Sequence, residues 1–129
     1  MLRKIDCVML RVDDLTTAAA FYTDALGLTE LWRDDTSVGM GFPETDAELV
    51  LHTMHLPPDC TVHYLVDDVA QAVADWPGRT RMPPFEIAVG QCAILEDPFG
   101  NPICILDLTK GTRPGSSSTS CRSSMIRPC

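Results

Sequence analysis

Two stretches of the chain nearly repeat one another: RVDDLTTAAAFY at 11–22 and LVDDVAQAVADW at 65–76. Val12-Asp13-Asp14 returns as Val66-Asp67-Asp68, an offset of 54 residues. Ala18 and Ala20 return as Ala72 and Ala74, and Tyr22 returns as another aromatic, Trp76. Repetition at a fixed offset means that each half is one supersecondary unit, which cannot bury its apolar face alone. The 129 residues therefore read as one domain of two similar modules, long enough for a proper core.

Each half reads as strand, helix, then three strands. In KIDCVMLRV, 4–12, Val8, Leu10 and Val12 share one face of a strand, with Cys7, Met9 and Arg11 on the other. Asp13 or Asp14 caps the helix that follows. Leu15, Ala18, Ala19, Tyr22 and Leu26 line one helical face, and Gly27 is a C-terminal stop. Strand-like pieces follow at 29–34, 37–42 and 47–53, separated by Asp34-Asp35 and by the turn from Pro43 to Asp46. The second half offers a strand at 60–66, a short helix at 69–76 and strands at 85–89, 91–97 and 102–108. DPFGNP forms the tight turn before the last of these. The helix of each unit covers one sheet face and leaves the other to curve around something. From Gly111 onward the chain is rich in Ser, Arg and Pro without a period, and 111–129 reads as a flexible tail.

Charge and composition exclude some partners. The formal net charge is −8, whereas a phosphate backbone selects clustered Lys and Arg, so a nucleic-acid partner is not expected. Acidity first serves solubility and is also compatible with a cationic ligand. No apolar run approaches the roughly 18 residues of a membrane helix, so no membrane partner is expected. MLRKIDCVML has neither the apolar run nor the cleavage site of a signal peptide, which suggests a cytoplasmic chain. The six cysteines, at 7, 60, 92, 104, 121 and 129, form no CxxC pair, so a zinc ribbon is not expected. In a cytoplasmic chain most of them read as small buried hydrophobes.

Two segments carry a resemblance. IDCVMLRVDDLTTAAAFYTDALGL resembles the opening of a vicinal oxygen chelate protein, and EDPFGNPICILDL resembles that superfamily's closing hairpin. The superfamily includes glyoxalase I, bleomycin-resistance proteins, fosfomycin-modifying enzymes and extradiol dioxygenases, and the likeness spans roughly 4–110. It implies an α+β fold in one domain, 1–110, built of two βαβββ modules at about 4–56 and 60–109. These would form a cup-shaped mixed sheet with helices on the convex face. It also implies a homodimer, with a pocket in each cup. Metal-using members hold a divalent ion with a His, Glu or Gln, His, Glu quartet. Carried over position by position, that quartet falls here on Cys7, Val50, Thr61 and Cys104. None of the four is His or Glu, and Mg²⁺, Mn²⁺ and Fe²⁺ want oxygen or imidazole donors. No metal or other cofactor is therefore expected.

Three histidines need placing. Strand alternation puts Glu48, Val50 and His52 on the cup side of one strand and Thr61, His63 and Leu65 on the cup side of another. One reading is a metal site relocated to Glu48, His52 and His63; the preferred one is that these side chains line a polar pocket or bond the backbone. His55, beside a Pro-Pro turn, is expected in solvent. Cys7 and Cys104 are placed close enough to approach each other, with Arg11 or His63 as a cation to lower a thiol pKa, although plain packing is preferred. Asp13, Asp14, Asp67 and Asp68 sit where strand passes to helix and read as caps rather than as acid–base pairs.

The expected function is metal-free binding of a small molecule, in the style of the bleomycin-resistance branch and its antibiotic-sequestering members. The expected lining is Cys7, Met9, Arg11, Trp32, Met40, Glu48, Val50, His52, Thr61, His63 and Cys104. Trp32 offers a flat surface for a cationic ligand, or else packs in the core. The alternatives are an enzyme, either a metal-dependent glyoxalase- or dioxygenase-like one with the relocated site or a metal-independent acid–base catalyst using His52 or His63, and a dimeric scaffold with no ligand.

Overall fold

A computed structural model describes residues 1–111, so the expected tail lies outside the described residues except for Gly111. The elements run β1 (Lys4–Arg11), α1 (Leu15–Asp24), β2 (Thr29–Arg33), β3 (Ser37–Gly41), β4 (Glu48–His52), β5 (Val62–Leu65), α2 (Val69–Asp75), β6 (Thr80–Ile87), β7 (Gly90–Glu96) and β8 (Pro102–Leu106). This is βαβββ twice. All eight strands join one sheet in the order β2-β3-β4-β1-β5-β8-β7-β6. The pairs β1–β4 and β5–β8 are parallel, and the antiparallel pair β1–β5 is the seam between the modules. The fold is α+β with a mixed sheet curved into a cup, and the two modules pair within a single chain.

The repeated Val-Asp-Asp explains both helix starts. Asp14 caps α1, its carboxylate accepting from the N–H groups of Thr16 and Thr17, and Asp68 caps α2 by accepting from Gln71 N–H. Asp67 instead meets Arg3 in an exposed ion pair. Under α1 lie Val38, Met40, Leu49 and Leu51; under α2 lie Val66, Ala93, Leu95 and Ile105. Each of these larger side chains contributes about 1.5–3 kcal/mol by leaving water. Leu26 departs from expectation: α1 ends at Asp24, so the helical period never carries Leu26 inward, and it is 56% exposed.

The strand expected at 85–89 begins at Thr80 and runs through Pro83-Pro84. Those prolines cannot donate ladder bonds, which argues against a central strand but not an edge. β6 is the outer strand, and its register with β7 shifts between Met82 and Phe85, where the prolines lie.

A buried carboxylate locks the second module. Asp107, 1% exposed, accepts from Val69 N–H at 2.7 Å, Gln91 N–H at 2.9 Å and the Thr109 hydroxyl at 2.9 Å. It thereby holds the start of α2 against β7 and the end of β8. Gly90 makes this possible, because a Cβ there would collide with the Asp107 carboxylate and carbonyl.

Candidate functional site

Strand register brings the polar side chains of the concave face into line. Cys7 pairs with Glu48 on one side and His63 on the other, and His63 pairs with Cys104. One rung across β4, β1, β5 and β8 thus carries Glu48, Cys7, His63 and Cys104, all buried. On the next rung Met9 pairs with Val50, and its N–H donates to the Thr61 carbonyl at 2.7 Å.

Above this floor the cup holds a cavity of about 430 Å³. Its base is apolar: Met9, Cys92 and Leu106 are buried beneath it. Phe85 and Ile87 from β6, with Met54 beyond β4, form half-buried walls. Asp34, Asp35 and Glu86 supply carboxylates at its edge. Glu86 is paired with Lys110 and Asp34 accepts from Thr36 and Ser37 N–H groups, while Asp35 is exposed. The edge therefore carries more negative than positive charge. His63 reaches the cavity from the polar rung.

The histidines are held in specific ways. His63 is fully buried, and burial pushes its pKa down to about 4, so its imidazole is neutral at pH 7. Its Nδ1 lies 3.0 Å from the Thr61 carbonyl, and its Nε2 lies 3.8 Å from Cys60 Sγ. A carbonyl can only accept, so Nδ1 carries the proton and Nε2 presents its lone pair to the sulfur. His52, 3% exposed, accepts Met54 N–H on Nδ1 at 3.1 Å. Burial, and then the charge of Arg11, lower its pKa.

Several expected lining residues lie elsewhere. Met9 and His63 border the cavity. Met40 packs beneath α1, because β3 alternation turns it to the convex side. Trp32 is 2% exposed and packs with Cys7, Met9 and Val50, so it belongs to the cup's packed base and offers no open stacking face. Its indole N–H donates to Glu48 Oε1 at 2.7 Å, which engages Glu48 as well. Arg11 ends exposed beside His52, and Thr61 contributes its backbone carbonyl to both Met9 and His63. Cys104 does not approach Cys7, because β5 lies between their strands. It is disulfide-bonded to Cys60, with a Cα separation of 6.3 Å. The expectation of plain packing for Cys104 is thus corrected, while Cys7 and Cys92 are buried in the packed base of the cup.

The relocated site on Glu48, His52 and His63 does not assemble. Among the described residues, the His, Cys, Asp and Glu donors that converge within 4.8 Å of one another are Cys60, His63 and Cys104. Cys60 was visible in sequence only as one of six cysteines. Its Cys-x-x-His spacing to His63 is the local signal, but a partner 44 residues away needs the β5–β8 pairing to bring it close. Phe85 and Ile87 alternate correctly on a recognised strand; what hid their role was the double proline that made this strand look short.

The comparisons agree with this architecture. A family model for the Glyoxalase/Bleomycin resistance protein/Dioxygenase superfamily matches residues 4–105. A Streptomyces coelicolor methylmalonyl-CoA epimerase variant is 16% identical with a TM-score of 0.64, over 88% of this chain and all of that one. A Legionella pneumophila chain described as an NAD-dependent benzaldehyde dehydrogenase is 18% identical with a TM-score of 0.62, over 79% of this chain and 97% of that one. An extradiol ring-cleaving dioxygenase from B. fuscum is 24% identical with a TM-score of 0.56, over 84% of this chain but 33% of that one. At these identities the likenesses establish the fold. The search of curated proteins found no match.

The four positions onto which the resemblance carried a metal quartet are Cys7, Val50, Thr61 and Cys104. Cys7 is a buried thiol, Val50 an alkyl group 1% exposed in a packed cluster, Thr61 a hydroxyl and Cys104 half of a disulfide. Such a set does not fit a hard divalent ion, which requires several carboxylate, carbonyl or imidazole donors.

Proposed function

The chain belongs to the Glyoxalase/Bleomycin resistance protein/Dioxygenase superfamily, and on that premise we propose that its cup binds a small, mainly apolar organic cation without a hard divalent ion. The observation that carries this reading is the 430 Å³ cavity, with its apolar base and walls beneath an acidic edge. A pocket of this size accommodates a drug-sized molecule, and burial of apolar surface supplies the affinity. The edge carboxylates select the sign of the charge. The molecule is held and sequestered, as in antibiotic-binding members of the superfamily. A homodimer with one such cup per chain is part of the same proposal, checked by light scattering.

The test is calorimetry on chelator-treated protein with benzyltrimethylammonium, benzyl alcohol and benzenesulfonate as probes. Saturable binding, tightest for the cation and weakened at least about tenfold in Ile87→Lys, which removes apolar wall and places a like charge beside the ligand, supports the reading. Binding that needs added Mg²⁺ or Mn²⁺, a preference for the sulfonate, or no saturable binding overturns it.

A further inference from the structure

The donor atoms of Cys60, His63 and Cys104 converge within 4.8 Å, all buried, and the cation-binding reading does not use them as a ligand set. We propose that, when the Cys60–Cys104 disulfide is reduced, these three side chains form a site for a soft d¹⁰ ion such as Zn²⁺, with a fourth position open toward the cavity. The inference goes beyond the cation-binding reading and does not depend on it.

Three features carry it. First, the distances suit a tetrahedral ion. Bond lengths of about 2.1 Å to nitrogen and about 2.3 Å to sulfur place those ligands about 3.6 Å apart. His63 Nε2 lies 3.8 Å from Cys60 Sγ already. Second, the imidazole is oriented as a ligand. Nδ1–H donates to the Thr61 carbonyl, which fixes the ring and turns the Nε2 lone pair to the sulfurs. A backbone carbonyl behind a histidine is the usual outer partner of a metal ligand, and it also raises the ring's basicity. Third, His63 borders the cavity while both sulfurs sit among Ile94 and Met82. Of the three ligands His63 borders the cavity, and a fourth position on that side would make this an open zinc site rather than a closed structural one. Two thiolates and an imidazole also select Zn²⁺ over Mg²⁺ or Ca²⁺, so this is not the hard-ion quartet in another form.

The disulfide and the metal exclude each other, since the same sulfur atoms serve both. Reduction by a dithiol delivers two electrons and two protons to the bridge, giving two thiols and an oxidised dithiol. Zn²⁺ then displaces the two thiol protons to solvent. The site therefore exists in a metal-free oxidised state and a metal-binding reduced state.

The experiment uses the full chain carrying Cys121→Ser and Cys129→Ser, so that thiols outside the described residues contribute nothing. Zn²⁺ alone is titrated into oxidised and phosphine-reduced protein against a chromophoric chelator, and Co²⁺ is added in parallel as a spectroscopic probe. One equivalent of Zn²⁺ per reduced chain, none per oxidised chain, and thiolate-to-Co²⁺ charge-transfer bands with tetrahedral d–d bands are expected. Loss of an outer partner alone costs about 10–100-fold in metal affinity, so His63→Ala should weaken binding at least about tenfold. These readings on the parent need no site variant, and circular dichroism on His63→Ala checks its fold. Absence of Zn²⁺ uptake by reduced protein, equal uptake by oxidised protein, or Co²⁺ spectra without thiolate bands overturns the proposal. None of these outcomes bears on the organic cation, because no organic probe is present.

Discussion

The indole N–H of Trp32 donates to Glu48 Oε1 at 2.7 Å, reaching across β3 at Gly39, where a Cβ would occupy the space of the indole itself. A tryptophan, a glycine and a glutamate on three adjacent strands thereby act as one unit. They seal the base of the cup at its first-module end.

Trp32→Phe keeps one aromatic ring but removes the donor together with the buried pyrrole half of the indole. Glu48, 2% exposed, then has one charge-assisted bond fewer, and a loss of about 1.5–3 kcal/mol is expected. Gly39→Ala drives a methyl group into the indole and should cost about 1–3 kcal/mol through overpacking. Urea denaturation of both variants checks this, and a stability equal to the parent's for Trp32→Phe would contradict the assigned bond.

Asp107 joins α2, β7 and the end of β8 through its carboxylate. Asp107→Ala leaves buried donors at Val69 and Gln91 without that acceptor, at about 1–3 kcal/mol each. A drop of several kcal/mol in the urea midpoint analysis is expected, with amide exchange accelerated first at the start of α2. Uniform exchange across the domain would argue against a local clamp.

The pH dependence of the oxidised, metal-free protein follows from the histidines. His63 takes up a proton at about 6.5 when unfolded and at about 4 when folded. The unfolded chain binds more protons between those values, so stability is full above about 6.5 and falls as pH drops toward 4. The span corresponds to about 3 kcal/mol. His52, also lowered, acts in the same direction. The carboxylates of Glu30 and Glu86 are held below their ordinary value of 4.5, so their contribution is lost only at more acidic pH. Urea midpoints that are flat from pH 7 to 5 would contradict a neutral buried His63.

Much of the fold was legible because the signals were local. The Val-Asp-Asp repeat marked both strand-to-helix junctions, and Asp14 and Asp68 cap as their residue type and position require. Leu26 misled because helical periodicity does not report where the helix stops. β6 was half hidden because its prolines are tolerable only at a sheet edge, and edge position is a property of topology. The site was less legible for the same reason. Alternation placed Met9 and His63 on the concave face correctly, whereas Met40 was named as lining without an alternation argument, and its strand turns it to the convex side. Trp32 could be read as open or buried until Gly39 showed where the indole lies. The meeting of Cys60 with Cys104 depends on parallel pairing of β5 with β8, across 44 residues.

The six methionines include probes on both faces of the sheet, and their methyl groups offer the most direct measurement. Met9 and Met54 border the cavity, whereas Met40 lies on the convex side beneath α1. In ¹³C-methyl-labelled protein titrated with benzyltrimethylammonium in the presence of a chelator, the Met9 and Met54 signals should shift and saturate together while Met40 stays in place. Movement of Met40 without Met9, or no saturable shift at any methionine, would contradict a cup that binds an organic cation without a hard metal.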